Sequence, residues 1–250
     1  MSAAIALGQR SLREAARSPD AILPTLFIPL FFLVVNTGQA AKIFPSSTPF
    51  LNGQGYGAFQ LPTTLLLASS FGAAALFLVE EIEGGYFDKL RATPIPRWSI
   101  VLGRLIAEAA KCVLIAAVIV LLALPFGITV QSGPVGFVLL VALAAGWGVV
   151  YSGFMQLIAL KTRSAAATQS GGLIFFPLLF LTPNFAPRDL LTRPMEIAAT
   201  YNPVTYLMEA LRSLILEDLH WAKIWPGFAV LIALGAIMLW ANVRMISRYD

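Results

Sequence analysis

Glu80-Glu81-Ile82-Glu83-Gly84-Gly85-Tyr86-Phe87-Asp88-Lys89-Leu90-Arg91-Ala92-Thr93-Pro94-Ile95-Pro96 is an acidic and then basic stretch between two long apolar runs, and its flanks decide the fold. The run before it covers roughly 61–79 and the run after it roughly 99–124. A helix needs about 20 apolar residues to cross a hydrocarbon core of ~30 Å, so each run can span a bilayer. Working outward, further runs fall at roughly 21–41, 135–160, 165–183 and 222–243. Backbone groups without partners are costly in lipid, so each run must be helical. The expectation is an all-α membrane protein with six transmembrane helices.

Composition points the same way. Of 250 residues, 58% are hydrophobic and 12% charged, with a mean hydropathy of +0.79. Soluble domains carry about a quarter charged residues. A single membrane domain over residues 1–250 uses up the length and leaves no room for a soluble domain of ~100 residues. The net charge of +4 does not signal nucleic acid, because the basic residues are spread over short loops. Cys112 is the single cysteine and has no intramolecular disulfide partner. His220, the single histidine, has no cysteine nearby, which argues against a metal site. Arg10, Arg13 and Arg17 ahead of an apolar run resemble a cleaved leader. Pro24 and Pro29 interrupt that run and more spans follow, so it reads as a retained first span.

Charge in the loops sets orientation. With the N-terminus in the cytoplasm, the inner segments hold Arg10, Arg13, Arg17, Lys89, Arg91, Arg97, Arg104, Lys161, Arg163, Arg244 and Arg248. The outer segments hold only Lys42, Arg188, Arg193, Arg212 and Lys223, set among carboxylates. The positive-inside rule then places both termini in the cytoplasm, in agreement with an even number of spans. Residues 1–20 read as a helix lying in the inner interface, with Ile5, Leu12 and Ala16 near one face and the three arginines toward anionic headgroups.

The stretch 80–98 reads as a cytoplasmic coupling segment. Gly84-Gly85 breaks the second span, and Tyr86, Phe87 and Leu90 give an apolar edge at helical spacing. Asp88, Lys89 and Arg91 form a charged face, and Thr93-Pro94-Ile95-Pro96 stops the short helix. A short amphipathic helix held between two spans suits docking of a soluble partner.

The region 184–221 precedes the last span. Asn202-Pro203 is a helix start, an N-cap followed by proline at the first helical position. Val204, Leu207, Met208, Leu211, Leu214 and Ile215 then share one face, with Thr205, Glu209, Arg212 and Ser213 on the other. About 14 residues reach only ~20 Å, too short to cross. The expectation is an outer re-entrant hairpin, with 188–199 as the partner helix, covered by protein wherever it reaches membrane depth.

No phosphate-binding loop of the form G-x-x-x-x-G-K-[ST] occurs, and neither does H-E-x-x-H, G-x-S-x-G or C-x-x-C. If transport is driven by ATP, another chain binds the ATP. Arg104, Glu108 and Lys111 share a face of the third span. They read as a neutralised charge cluster, with a proton relay through Glu108 as the alternative. Gly146, Gly148, Gly153 and Gly171-Gly172 read as close helix contacts.

Two of these motifs together resemble a family. Glu80 to Pro94 is similar to the acidic-Gly-…-Leu-x-Ala-Thr-Pro signature after the second span of ABC-2 type permeases. Asn202-Pro203-Val204-Thr205-Tyr206-Leu207-Met208-Glu209-Ala210-Leu211-Arg212 is similar to that family's Asn-Pro-x-x-Tyr-…-Ala-x-Arg motif before the last span. Within the family the chain most resembles permeases of the daunorubicin-resistance type. The resemblance implies a non-enzymatic exporter subunit in the bacterial cytoplasmic membrane. It implies pairing with a second permease, as homodimer or heterodimer, and with two copies of an ATP-binding subunit that holds ATP and magnesium. It also implies that the interfacial helix and residues 81–94 contact that subunit. One departure stands out: Glu81-Ile82-Glu83 replaces the family's Arg-Glu pair ahead of the glycine, so Glu80, Glu81 and Glu83 would favour basic partners there. The expected activity is outward movement of a lipid-like or amphipathic compound, such as a drug, lipid or glycolipid. The alternatives are a secondary carrier or channel working through Glu108, or a membrane scaffold that only recruits a cytoplasmic protein.

Overall fold

A computed structural model describes residues 7–10, 13, 19–71, 74–93 and 95–247. Arg17, Pro94, Arg248 and most of the expected interfacial helix lie outside the described residues, as do the side chains of Arg91 and Arg97. The described residues are helical with short connections and form no strand. In chain order the helices are α1 (Pro19–Ala40), α2 (Tyr56–Ser70), α3 (Ala74–Glu83), α4 (Tyr86–Arg91), α5 (Arg97–Ala123), α6 (Gly133–Thr162), α7 (Ala165–Gly172), α8 (Phe175–Phe180), α9 (Arg193–Tyr201), α10 (Pro203–Leu216) and α11 (Trp221–Ser247).

Five helical stretches are long and apolar enough to cross a membrane: Leu23–Ala40, Tyr56–Glu83, Trp98–Phe126, Gly133–Thr162 and Trp221–Ser247. The window expected at 165–183 differs from the others. It forms two short helices, α7 and α8, joined through Leu173 and Ile174. The physical cause is local: Gly171-Gly172 weakens the helix, and Pro177 lacks the N–H that a continuous helix needs. The second span is also not one rod. Phe71 leaves the helix at φ −83 and ψ 69, at the end of α2.

The centre of the bundle is α6, which packs against α2, α3, α5, α7, α10 and α11. Small residues make this possible. A Cβ at Gly146 would lie 2.8 Å from Leu231 of α11, and one at Gly153 would lie 3.0 Å from Met238. Gly148 faces the Cys112 sulfur of α5. The buried Asn242 adds a polar clasp, its Nδ2 donating to the Gly153 carbonyl at 2.8 Å. Close backbone approach and interhelical hydrogen bonds drive association where lipid removes the hydrophobic contrast.

The two motif regions sit at opposite ends of α5, a helix of 27 residues and therefore about 40 Å long. Its first turns face the end of α3, through Arg104 and Glu81. The loop after its last turns reaches the end of α10, where the Gln131 and Ser132 amides donate to the Ile215 and Leu214 carbonyls at 3.1 and 3.4 Å.

Candidate functional site

The segment 80–98 is shaped by one glycine. Gly85 takes φ +68, a left-handed conformation that side chains resist, and it turns the chain from α3 into α4. The helix α4 then lies back against α3. Phe87 is fully buried and Leu90 is 8% exposed, both within the bundle's main apolar cluster. The Thr93 hydroxyl donates to the Leu90 carbonyl at 2.6 Å and closes the turn. The apolar edge read from the sequence is therefore divided. Phe87 and Leu90 face inward and anchor α4, while Tyr86 stays at the surface. The exposed face of the segment carries Glu83, Gly84, Asp88, Lys89 and Thr93.

Glu81 joins elements from separate parts of the chain. Arg10 donates to its Oε1 at 3.1 Å, and Arg104 of α5 forms an ion pair with its Oε2. The Arg10 guanidinium also lies over the Tyr86 ring, 3.9 Å from the centroid. Nearby, Gly8 backs onto α5, and a Cβ there would meet the Gly103 carbonyl at 3.1 Å. The expectation that Glu81 waits for a basic partner thus changes, because its charge is answered within the chain. Glu80 and Glu83 remain exposed, and Arg13 is exposed as well. Further along α5, Glu108 is buried and pairs with Lys111 at 2.6 Å. Arg104 turns away from Glu108 to reach Glu81, so the charged face of α5 serves two separate pairs.

At the other end, Asn202 holds the start of α10. Its Oδ1 accepts from the Val204 amide at 3.0 Å, and its Nδ2 donates to the Leu178 carbonyl at 2.6 Å. Pro203 follows at the first helical position. The Tyr206 hydroxyl donates to the Thr200 carbonyl at 2.9 Å, tying α10 to α9. Arg188 grips Glu209 through two hydrogen bonds of 3.0 Å. Arg212 donates to the Pro183 carbonyl at 2.9 Å and lies 3.6 Å from the Phe59 ring centroid. The last carbonyls of α10 have no helical partners, as at any helix end. The Asn52 and Gln54 side chains supply them, donating to Leu216 and Ile215 at 2.9 Å each.

A model of the ABC-2 type transporter family matches residues 2–216, which includes both motif regions. The chain belongs to the ABC-2 type transporter family. It is also 23% identical over 241 residues to the daunorubicin resistance ABC transporter permease protein DrrB1 of Streptomyces coeruleorubidus, covering 94% of this chain and 82% of that relative. Family membership and the apolar helices make it a multi-pass membrane protein of the ABC transporter class. Membership implies association with an ATP-binding subunit and a second permease.

This ABC-2 permease also contains a cavity of about 510 Å³ that the sequence did not announce. Its walls come from α1 (Pro24, Thr25), the end of α2 (Leu67, Ser70, Phe71), α6 (Tyr151, Met155) and the α7–α8 region (Gln169, Gly172, Phe175). The helix breaks at Phe71 and at Gly172 both border it. Two of its polar groups are already engaged: the Tyr151 hydroxyl donates to Gly172 at 2.6 Å, and Ser70 accepts from the Trp147 indole at 2.8 Å. The signal that could have located it is the pair of helix interruptions, at Phe71 and at Gly171-Gly172.

Proposed function

We propose that this permease is the passive membrane half of an ATP-driven exporter, worked from the cytoplasm through α4. The observation that carries the reading is mechanical. The helix α4 is fixed to the bundle by Phe87 and Leu90, and Glu81 beside it is tied to both the N-terminal segment and α5. A load placed on the exposed face at Glu83, Asp88 and Lys89 is therefore passed into several helices at once. Two copies of an ATP-binding subunit, holding ATP and magnesium, would supply that load as they close. A second permease, identical or related, would complete the transmembrane path.

In this reading the chain crosses the bacterial cytoplasmic membrane six times. The crossings are α1, α2 with α3, α5, α6, α7 with α8, and α11, and both termini are cytoplasmic. The hairpin of α9 and α10 dips into the outer leaflet, with Asn202 at its deep end. Support comes from the way α10 packs beside α2, α6 and α11 while its far end meets the 52–54 and 131–132 loops. The mainly apolar walls of the 510 Å³ cavity suit a lipid-like or amphipathic compound.

Vesicles containing the permease with its ATP-binding subunit should export a fluorescent amphiphile only when ATP is supplied. Lys89→Glu should reduce that export without lowering permease stability. Uphill transport at full rate in vesicles free of any ATP-binding protein would refute the reading.

A further inference from the structure

A second cavity, of about 410 Å³, lies beside α10 at the end of the bundle opposite α4. Its charged lining is Arg188, Arg212 and Lys223 with Glu209 and Glu217. Two of the cations are already answered. Arg188 holds Glu209 in a two-bond pair, and Lys223 lies 2.6 and 2.7 Å from the two oxygens of Glu217. Arg212 is the surplus charge. Among the described residues no carboxylate lies within ion-pair distance of it, and its Nε is buried without a hydrogen-bond partner. A carbonyl and an aromatic face answer it in part, but a guanidinium offers five donors. A half-buried cation left short of acceptors is costly unless an anion completes it.

We infer that this cavity binds the phosphate head group of a membrane lipid, with Arg212 as the inner contact and Lys223 at the rim. Phosphate suits the site because it accepts two parallel guanidinium hydrogen bonds. A lipid is favoured as its carrier because Trp221 and Trp225, both exposed, stand in the same first turns of α11 as Lys223. Exposed tryptophans of a membrane helix mark headgroup depth. Leu190 and Leu219, two residues in the chain from Arg188 and Glu217, are also exposed and offer apolar surface for acyl chains. The inference rests on the proposed topology only for which leaflet supplies the lipid.

The test uses purified full-length permease in detergent. It is incubated with phosphatidylglycerol, with diacylglycerol of the same tails, or with inorganic phosphate, and retained molecules are counted by native mass spectrometry. Arg212→Gln should weaken phosphatidylglycerol retention by roughly tenfold to a hundredfold, the range for one lost charge-assisted hydrogen bond. Since Arg212 also packs on Phe59, two rim variants, at exposed Lys223 and half-buried Glu217, test the charge independently. Lys223→Gln removes the rim cation, leaving Glu217 with only the Ser213 hydroxyl, and should weaken retention. Glu217→Gln frees Lys223 and should strengthen it. Opposite shifts support the site, while shifts in the same direction, or none, overturn it. Diacylglycerol retained as well as phosphatidylglycerol overturns the phosphate contact. Inorganic phosphate that displaces the lipid at matched concentration overturns the lipid as occupant in favour of a free anion. Impermeant labelling of Leu219→Cys in cells reports the side separately. Cytoplasmic labelling would overturn the topology and leave the phosphate chemistry standing.

Discussion

Glu81 offers the most direct test of how the proposed coupling segment is built. Its two arginine contacts are chemically alike but differ in exposure. The Arg104 side chain is 9% exposed and the Glu81 side chain 14%, whereas Arg10 is 36% exposed. Removing one partner of a buried pair costs about 3–5 kcal/mol, mostly because the other charge is left without an answer. Some solvent reaches Glu81, so about 2–3 kcal/mol is a fair expectation for the Arg104 arm. The Arg10 arm resembles a surface pair and should contribute about 0.5–1 kcal/mol. The measurement is a pair of double-mutant cycles, Glu81→Ala with Arg104→Ala and Glu81→Ala with Arg10→Ala, read by denaturant unfolding of the purified chain.

Salt separates the arms further. Between 0.1 and 1 M salt the screening length falls from about 10 Å to about 3 Å. The Arg10 coupling should fade over that range and the Arg104 coupling should persist. Equal couplings, or an Arg10 arm stronger than the Arg104 arm, would refute the assignment of Glu81 as an inward-tied hub. In the functional assay Glu81→Gln should lower ATP-driven export, because a neutral amide cannot hold both arginines by charge. Export at the wild-type rate would show that the tie does not transmit load.

Three further outcomes follow from the same geometry. Leu90→Asp places a charge in the apolar cluster and should destabilise the fold by more than about 3 kcal/mol in unfolding measurements, whereas Lys89→Glu, one residue away and exposed, should change stability by less than about 0.5 kcal/mol. A Cβ at Gly85 meets nothing within 4 Å, so Gly85→Ala should cost only the left-handed strain, about 1–2 kcal/mol, and a cost near zero would contradict the turn described for φ +68. Asn202→Ala removes the α10 cap and the bond to Leu178 together, with an expected loss of about 1–2 kcal/mol, while Asn202→Asp keeps the cap and should recover roughly half.

What could be read in the sequence was local. Asn202-Pro203 announces a helix start because cap and proline act within one turn, and α10 begins there. Gly84-Gly85 announces a break for the same reason. The Glu108–Lys111 pair follows from spacing along one helix. The Glu81 pair with Arg104 and the Arg188 pair with Glu209 connect residues far apart in the chain, and periodicity says nothing about which spans meet. The inward turn of Phe87 and Leu90 was hidden for a related reason. An apolar edge on a short helix fits a partner protein and its own bundle equally well, and only the path of the chain after Gly85 decides between them.

A membrane sets a particular limit on such readings. In water the apolar side of a helix is its buried side, but in lipid both sides are apolar. The exposed Val135 and Val138 of α6 are as hydrophobic as its buried Leu140 and Leu143. What distinguishes the inner face is the residues that lipid would not favour: Gly148, Ser152, Gly153 and Gln156, all buried along α6. The same logic works on α1, where Thr25, Pro29 and Leu33 form the buried line at a four-residue spacing while Phe27 and Phe31 face outward. Small and polar residues at helical spacing therefore carry the packing information that hydropathy cannot. The helix interruptions at Phe71 and Gly171-Gly172 carry the rest, because a broken helix leaves backbone groups that need protein around them, and here both breaks border the same cavity.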